Sequence, residues 1–303
     1  MPGPLMLLDT ASLYFRAFYG VPDTRRTADA PPTNAAAGLL DMLARLIREH
    51  RPGAVIACWD DDWRPQWRVD LIGSYKEHRV ATGDEEEVPD ALQEQIPLIE
   101  AALVGLGTPP VGVPGYEADD VIGTYATITD AVDVVTGDRD LFQLVDDSRG
   151  VRVLYTARGI SKIQFVDDSF VEEKYGVRPD QYADMATLRG DSSDGLPGVA
   201  GIGEKTAASL LRMFGDLDGV VAAAADPTSA ISPRIRASLK ASADYLRAAP
   251  SVVRVERGLS VPAVPTGLPQ PDVALLEAIG AEFGIMNSVR RVLAALADQT
   301  SEE

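Results

Sequence analysis

Acidic side chains stand at the ends of apolar runs in this sequence, and that placement is the first feature able to do chemistry. Asp9 closes PLMLLD and Asp60 closes AVIACWD; Asp138 and Asp140 follow the run Val132–Thr136; Glu117, Asp119 and Asp120 follow the short piece Pro110–Val113. Such runs read as strands. The carboxyl ends of parallel strands share one sheet edge, where the ligand sites of open α/β sheets form. Each acid alone is explained as a helix cap, a turn residue or a complement to a helix dipole. Seven of them on one edge repel one another unless cations offset the charge. Asp191 and Asp194 join the group if the second half of the chain docks over that edge. All these donors are oxygen, and the only two histidines, His50 and His78, stand apart. Zinc held by His or Cys is therefore disfavoured, while Mg²⁺ or Mn²⁺ fits. Two such ions about 4 Å apart are the usual arrangement for cleaving a phosphodiester.

A second set of residues suits a polyanion. Residues 61–89 show no core pattern but carry Arg64, Arg68, Lys76, His78 and Arg79, with Trp63, Trp67 and Tyr75 interleaved. Cations and aromatics together grip phosphates and stack on bases, although a plain surface loop accommodates the same residues. The acidic run Asp84–Glu87 reads as a solvated face or the start of the next helix. Farther on, LPGVAGIGEKT (196–206) sits between two helical patterns. Gly198, Gly201 and Gly203 would let a phosphate approach main-chain N–H groups at the start of the following helix, with Lys205 adding a positive charge. GxG alone is satisfied by any tight turn, but the whole string is more specific and resembles the helix–hairpin–helix binders of the DNA backbone.

The elements that must position these groups change character along the chain. The first half alternates strands with helices: strands at 4–9, 54–60, 110–113, 132–136 and 151–155, and helices at 34–50, 91–106, 117–129 and 138–145. Alternation of this kind predicts a parallel α/β sheet. The second half reads as helical, at 168–175, 179–189, 204–214, 233–248, 271–279 and 287–298. The net charge of −18 is unusual for a nucleic-acid binder, and it is reconciled if many acids gather round divalent ions. One cysteine, Cys58, excludes an internal disulfide. No apolar run is long enough to span a membrane, and the N-terminus lacks the basic region of a secretory signal, so a cytoplasmic protein is expected.

Five strings, LLDTASLYFRAF, ACWD, GYEADDVIG, VVTGDRDLFQL and GDSSDGLPGVAGIGEKTA, together resemble the 5′-nuclease (flap endonuclease) family, including the 5′-nuclease domain of bacterial DNA polymerase I; they cover about residues 5–215. The resemblance implies a PIN-like (resolvase-like) α/β core over 1–167 with a helical arch at about 61–90. It also implies an all-helical lobe over 168–303 with a helix–three-turn–helix at about 180–214. It places Asp9, Asp60, Glu117, Asp119 and Asp120 at one metal site, some through water, and Asp138, Asp140, Asp191 and Asp194 at a second. It puts Lys76 and Arg79 at the scissile phosphate, Tyr75 against a base, and Arg16 and Arg68 on phosphates. The turn around Gly198–Gly203 would hold duplex DNA and can carry K⁺ on its carbonyls. Thr10, Asp61 and Gly195 depart from the family's usual residues without removing an acid, and no polymerase segment follows, so a stand-alone enzyme is expected. The implied reaction is Mg²⁺- or Mn²⁺-dependent 5′-3′ exonuclease and flap cleavage of DNA. Nine acids against two ions leave surplus negative charge, so either a third divalent ion binds or some acids stay protonated or out of direct contact. An RNA nuclease on the same core, or a branched-DNA binder without catalysis, remain alternatives.

Overall fold

The computed structural model describes residues 3–23, 25, 30–80 and 88–300; the acidic run at 84–87 lies outside the described residues. Five strands form one sheet: β1 (Leu5–Asp9), β2 (Ala54–Cys58), β3 (Val132–Thr136), β4 (Val151–Tyr155) and β5 (Gln164–Val166), in the order β2-β1-β3-β4-β5. β1 pairs in parallel with β2 and β3, β3 with β4, and only β5 runs antiparallel. The strand order reverses at β1, so a crevice opens between the carboxyl ends of β1 and β3.

The first half contributes helices α1 (Thr10–Gly20), α2 (Asn34–His50), α3 (Gln66–Leu71), α4 (Asp90–Gln93), α5 (Ile96–Gly105) and α6 (Ala118–Ile128). The second contributes α7 (Asp168–Tyr175), α8 (Tyr182–Arg189), α9 (Glu204–Phe214), α10 (Leu217–Ala225), α11 (Pro233–Ala241), α12 (Ala243–Val253), α13 (Val273–Glu282) and α14 (Met286–Thr300). β1, β2 and β3 are buried along their whole length, as strands covered on both faces must be. Their side chains alternate between two cores. Leu5, Leu7, Ile56, Val132 and Val134 face α6 and continue into the helical lobe through Tyr175, Tyr182, Met185 and Leu188. Met6, Leu8, Val55, Ala57 and Val135 face α2 and α5.

The last two helices depart from the expected boundary. Leu276 and Ile279 of α13, and Val289, Val292 and Leu296 of α14, belong to the core around α2 and α5. Arg291 pairs with Asp41 at 2.8 Å, and Gln299 Nε2 donates to the Pro52 carbonyl at 2.6 Å. By packing, 273–300 closes the first half, whereas the sequence reading assigns it to the helical lobe. Other departures are local. Residues 110–113 make a single bridge, Cys58 to Val111, and 138–145 is a 3-10 turn at Asp140–Leu144. The helical runs at 91–106 and 233–248 each split in two. Periodicity does not mark α1, the alanine-rich α10 or the three-residue β5.

Of the residues expected to form a helical arch, 61–80 and 88–90 are described, and the former pack against the molecule. α3 and a 3-10 turn at Glu77–Arg79 cross between core and lobe, and Ile72 and Tyr75 pack with Ala183, Ala186, Leu196, Ala249 and Val252. Ser74 Oγ donates to the Gly195 carbonyl and Lys76 N to that of Asp194.

The chain after α8 folds back on itself to carry Asp191 and Asp194. Asp191 and Leu196 exchange backbone hydrogen bonds at 3.0 and 2.7 Å, and Val199 N reaches the Leu188 carbonyl. Gly198, at φ 65°, passes so close that a Cβ would lie 2.5 Å from the Arg189 carbonyl and Gly190 N. Neither backbone can yield without opening the turn. Gly198→Ala is therefore expected to cost about 3 kcal/mol through strain and clash, read as a lower urea midpoint. An unchanged midpoint would show that the turn is looser than described.

Candidate active site

A cleft of about 370 Å³ opens at the carboxyl edge of the sheet, lined by Asp9, Ser12, Asp60, Trp63, Lys76, Arg79, Glu117, Asp119, Asp138, Arg139, Asp191 and Ser193. A larger cleft, about 810 Å³, lies around Gln143, Arg149, Arg178 and Arg254 and holds none of the nine acids.

The floor of the smaller cleft is a hydrogen-bonded lattice joining β1 to β3. Asp9 caps α1 by accepting from Ser12 N at 3.1 Å, and its other oxygen accepts from Thr136 Oγ1 at 2.6 Å. Thr136 Oγ1 accepts in turn from Asp138 N, and Ser12 Oγ from Gly137 N. Asp138 accepts from Asp140 N at 2.8 Å, which fixes the 3-10 turn. Asp60, two residues beyond β2, accepts from Ala118 N at the start of α6. Parallel strands thus bring acids from three strand ends and one helix start to one place.

Their charges are felt mutually. Burial, with the charges of Asp60 and Asp138, pushes the Asp9 carboxyl up to about 7 against the pull of its Thr136 hydrogen bond. Burial and the charges of Asp9, Asp138 and Glu117 push Asp119 well up; burial and Asp138, Asp194 and Asp191 do the same to Asp140. Asp60 and Asp194 are raised as well, chiefly by burial. Asp140 and Asp194, which do not line the cleft directly, are therefore within electrostatic reach of its acids.

Protein cations meet part of this charge. Lys76 Nζ pairs with Glu117 and donates to the Trp63 carbonyl at 3.2 Å. Arg79 pairs with Asp194 at 3.0 Å, and Arg189 with both Asp191 and Glu204 at 3.3 Å. Although burial alone would raise it, Glu117 is held below the usual carboxylate range by Lys76 and Arg68. Asp191, likewise opposed by burial, is held down by hydrogen bonds from Ser193 and by Arg189.

Four expected roles change. Arg68 is 2% exposed and pairs with Glu117 and, through both terminal nitrogens, with Asp120, so it faces carboxylates and not a phosphate. Tyr75 is 4% exposed and donates its hydroxyl to Glu117 at 2.7 Å, leaving no open face for a base. Asp120 is fully buried; besides Arg68 it accepts from Glu117 N and Glu256 N, so its oxygens are taken and it lies off the cleft. Gly198 is buried against backbone and cannot meet DNA. By contrast, Gly201, Gly203 and Lys205 are exposed at the start of α9, tied to the acidic cleft by the Arg189 bridge from Asp191 to Glu204. Arg16 is half-buried beside Gly137, with Nη1 3.5 Å from the Ala157 carbonyl.

The donor set, all carboxylate oxygen, fits a hard divalent ion. Among the described residues, however, no three His, Cys, Asp or Glu side chains are drawn together tightly enough to hold one as they stand. Glu117 shows why: Lys76, Arg68 and Tyr75 all converge on it, and it must turn from at least the ammonium to reach an ion. The sequence reading missed Arg139 and Ser193 on the wall of the cleft, Thr136 beneath it and Arg189 behind it. All four sit inside or beside the acid-bearing strings, but only the fold shows which way they point.

With this geometry established, the comparisons are specific. Residues 4–176 match the N-terminal resolvase-like domain of 5′-3′ exonucleases, and 177–272 match their C-terminal SAM fold. A protein named 5′-3′ exonuclease from Streptomyces coelicolor is 56% identical over 299 residues, 96% of this chain and 99% of that one. One of the same name from Mycobacterium tuberculosis is 45% identical over 98% of each. DNA polymerase I of Mycobacterium bovis is 41% identical over 78% of this chain and 25% of its own length. Among solved structures, the T5 D15 protein crystallised with metal ions superposes with a TM-score of 0.63 at 19% identity, covering 96% of this chain and 99% of that one. The catalytic core of Rad2 with DNA substrate gives 0.60 at 15%, covering 97% and 92%. The chain belongs to the 5′-3′ exonuclease family. The second match ends where α13 begins, in keeping with the packing of α13 and α14 on the first half.

A carboxyl raised by folding from 3.8 to about 7 adds stability that is complete below about pH 4 and lost as pH rises through 7. Asp60, Asp119, Asp140 and Asp194 act in the same direction, while Glu117 and Asp191 matter only at acid pH. The metal-free protein should therefore melt at lower temperature at pH 8 than at pH 5. Asp9→Asn should regain about 2 kcal/mol at pH 8. A wild-type melting temperature independent of pH across that window would contradict the electrostatic picture.

Proposed function

We propose that this chain is a divalent-metal-dependent 5′-3′ exonuclease and flap endonuclease. It would hydrolyse DNA phosphodiesters to 5′-phosphate and 3′-hydroxyl ends in the cytoplasm, during Okazaki-fragment processing or repair. The observation that carries the proposal is the convergence of acids from separate strand and helix ends on one cleft, where burial and neighbouring acids raise the proton affinity of Asp9, Asp60, Asp119, Asp140 and Asp194. The names of its near-full-length relatives, 5′-3′ exonuclease at 56% and 45% identity, support the polarity. The DNA substrate bound to the structurally similar catalytic core of Rad2 supports the substrate.

Asp9, Asp60, Glu117 and Asp119 would hold one Mg²⁺ or Mn²⁺, and Asp138, Asp140, Asp191 and Asp194 a second. When bound, such ions supply Lewis acidity and neutralise charge on the attacking and leaving oxygens. We assign two ions and not three, because Arg68, Lys76, Arg79 and Arg189 already offset part of the acidic charge. Asp120 acts by clamping Arg68, and Arg68 with Tyr75 orients Glu117. The Lys76 ammonium and Arg79 guanidinium, which line the cleft, would bind the oxygens of the scissile phosphate once released from Glu117 and Asp194. Arg16 would steady the adjoining phosphate. The exposed N–H groups at Gly201 and Gly203, with Lys205, would hold the duplex backbone farther along, and the carbonyls of that turn are a candidate K⁺ site.

Asp140→Asn and Asp194→Asn should each slow Mg²⁺-dependent cleavage of a 5′-labelled flap by at least about 100-fold. Duplex affinity, measured with chelator present, should change by less than about 3-fold. Equal loss of cleavage and binding would remove the ligand role. Wild-type protein inert with Mg²⁺ and Mn²⁺ would leave a branched-DNA binder, and equal cleavage of a matched RNA flap would widen the substrate class.

A further inference from the structure

The chain leaves α12 and returns to the sheet through residues 254–272, and the start of this strap is tied to the turns that carry the acids. Val255 N donates to Gln143 Oε1 at 3.1 Å, while Gln143 Nε2 donates to the carbonyls of Asp140 at 2.9 Å and Val253 at 3.1 Å. Arg257 Nη2 donates to the Gln143 carbonyl at 2.9 Å. Beside this, Glu256 N donates to Asp120, and Leu259 N to Thr124 Oγ1 at 3.2 Å. Gln143 is 5% exposed. Its amide uses both N–H groups and its oxygen at once, a combination no other side chain of that length offers. Asp140 is thereby pinned on both sides: its N–H by Asp138, its carbonyl by Gln143.

The strap begins where three parts of the molecule meet. Ala249, Val252 and Val253 of α12 pack with Ile72 and Tyr75 of the crossing segment and with Ala183 and Ala186 of α8, the helix that leads to Asp191. Through these contacts a shift of the helical lobe would move Val253 and Val255, and the Gln143 amide would pass that shift to Asp140. We propose that Gln143 is a positioning residue that couples the placement of the helical lobe to the acids of the Asp138–Asp140 turn. This rests on the assignment of Asp140 as a metal ligand made above.

The test compares Mn²⁺ affinity, read by electron paramagnetic resonance of the free ion, across three variants of the full chain. Gln143→Met keeps the side chain's length and deletes its three hydrogen bonds. It should weaken Mn²⁺ binding about 10-fold, the usual cost of losing a group that orients a ligand. It should lower kcat with KM for the DNA flap unchanged. Thr124→Val loosens the same strap at Leu259, away from Asp140, and should leave Mn²⁺ affinity within about 2-fold. If Gln143→Met does not fold, Gln143→Glu, which keeps the Val255 tie and loses both donors, takes its place with the same expected loss. Unchanged Mn²⁺ affinity in the Gln143 variant, or an equal loss in Thr124→Val, overturns the coupling. Asp140→Asn measured alongside separates the two ideas. If it weakens Mn²⁺ binding while the Gln143 variant does not, only the coupling fails; if it has no effect, the ligand assignment fails and takes the coupling with it.

Discussion

Carboxylates crowded at one edge of a sheet repel one another, and burial raises the cost of each charge because water no longer screens it. In this protein the parallel pairing of β1 with β2 and β3 forces the crowding, since Asp9, Asp60 and Asp138 stand at or just past the ends of adjacent strands. The fold cannot bury β1 on both faces and also disperse these acids. The molecule meets the repulsion in two ways. Some of the acids are paired with an arginine or lysine: Asp120 with Arg68, Glu117 with Arg68 and Lys76, Asp191 with Arg189, Asp194 with Arg79. Among the described residues Asp9, Asp119 and Asp140 have no such ion pair, and there burial and neighbouring acids keep the proton affinity high. That remaining charge is what a divalent cation would relieve.

The pairing of Arg68 shows how closely the site and the fold depend on each other. A guanidinium 2% exposed is tolerable only with charged partners in good geometry, and the two-nitrogen grip on Asp120 supplies it. Removing either partner would strand a buried charge. The same contact carries α3 against α6, so the segment that crosses the cleft is anchored by the ion pair that orients Glu117.

Much of this was visible in the sequence, for physical reasons. A strand covered on both faces reads as an apolar run, so PLMLLD and AVIACWD announced β1 and β2, and Val132–Thr136, broken only by Asp133 with its Arg152 partner, announced β3; the acids after them could be placed on one edge without coordinates. What stayed hidden depends on direction, not on type. QWRVDL does not reveal that Arg68 points inward while Trp67 reaches the Gly115 carbonyl, because a six-residue helix presents too little periodicity to define a face. Gly198 and Gly201 share a positive φ and a motif, yet one is wedged against Arg189 and the other is exposed; only the path of the neighbouring backbone distinguishes them. The return of α13 and α14 to the first half was equally hidden. Their apolar stripes would suit either core, and the proline-rich strap before them, with Pro262, Pro265, Pro269 and Pro271, marks a break between helices without showing where the chain goes next.

The excess of acids, −18 overall, also takes on a physical meaning. At physiological ionic strength a surface charge is felt over only about 8 Å, so a polyanion responds to the charges it touches and not to the total. Five of the described basic groups lie at or near the cleft: Arg68 and Arg189 inside, balancing acids, Lys76 and Arg79 on the cleft wall, and Lys205 exposed beside the open backbone of the glycine turn. Divalent ions in the cleft would reverse the local field where the acids are densest. Elsewhere the acidic surface repels the same polyanion. On the proposed assignment, binding would be confined to a few points whose positions are set by the sheet edge, the crossing segment and the start of α9, so that selectivity for a particular DNA geometry would come from the spacing of a small number of contacts and not from a broad basic face.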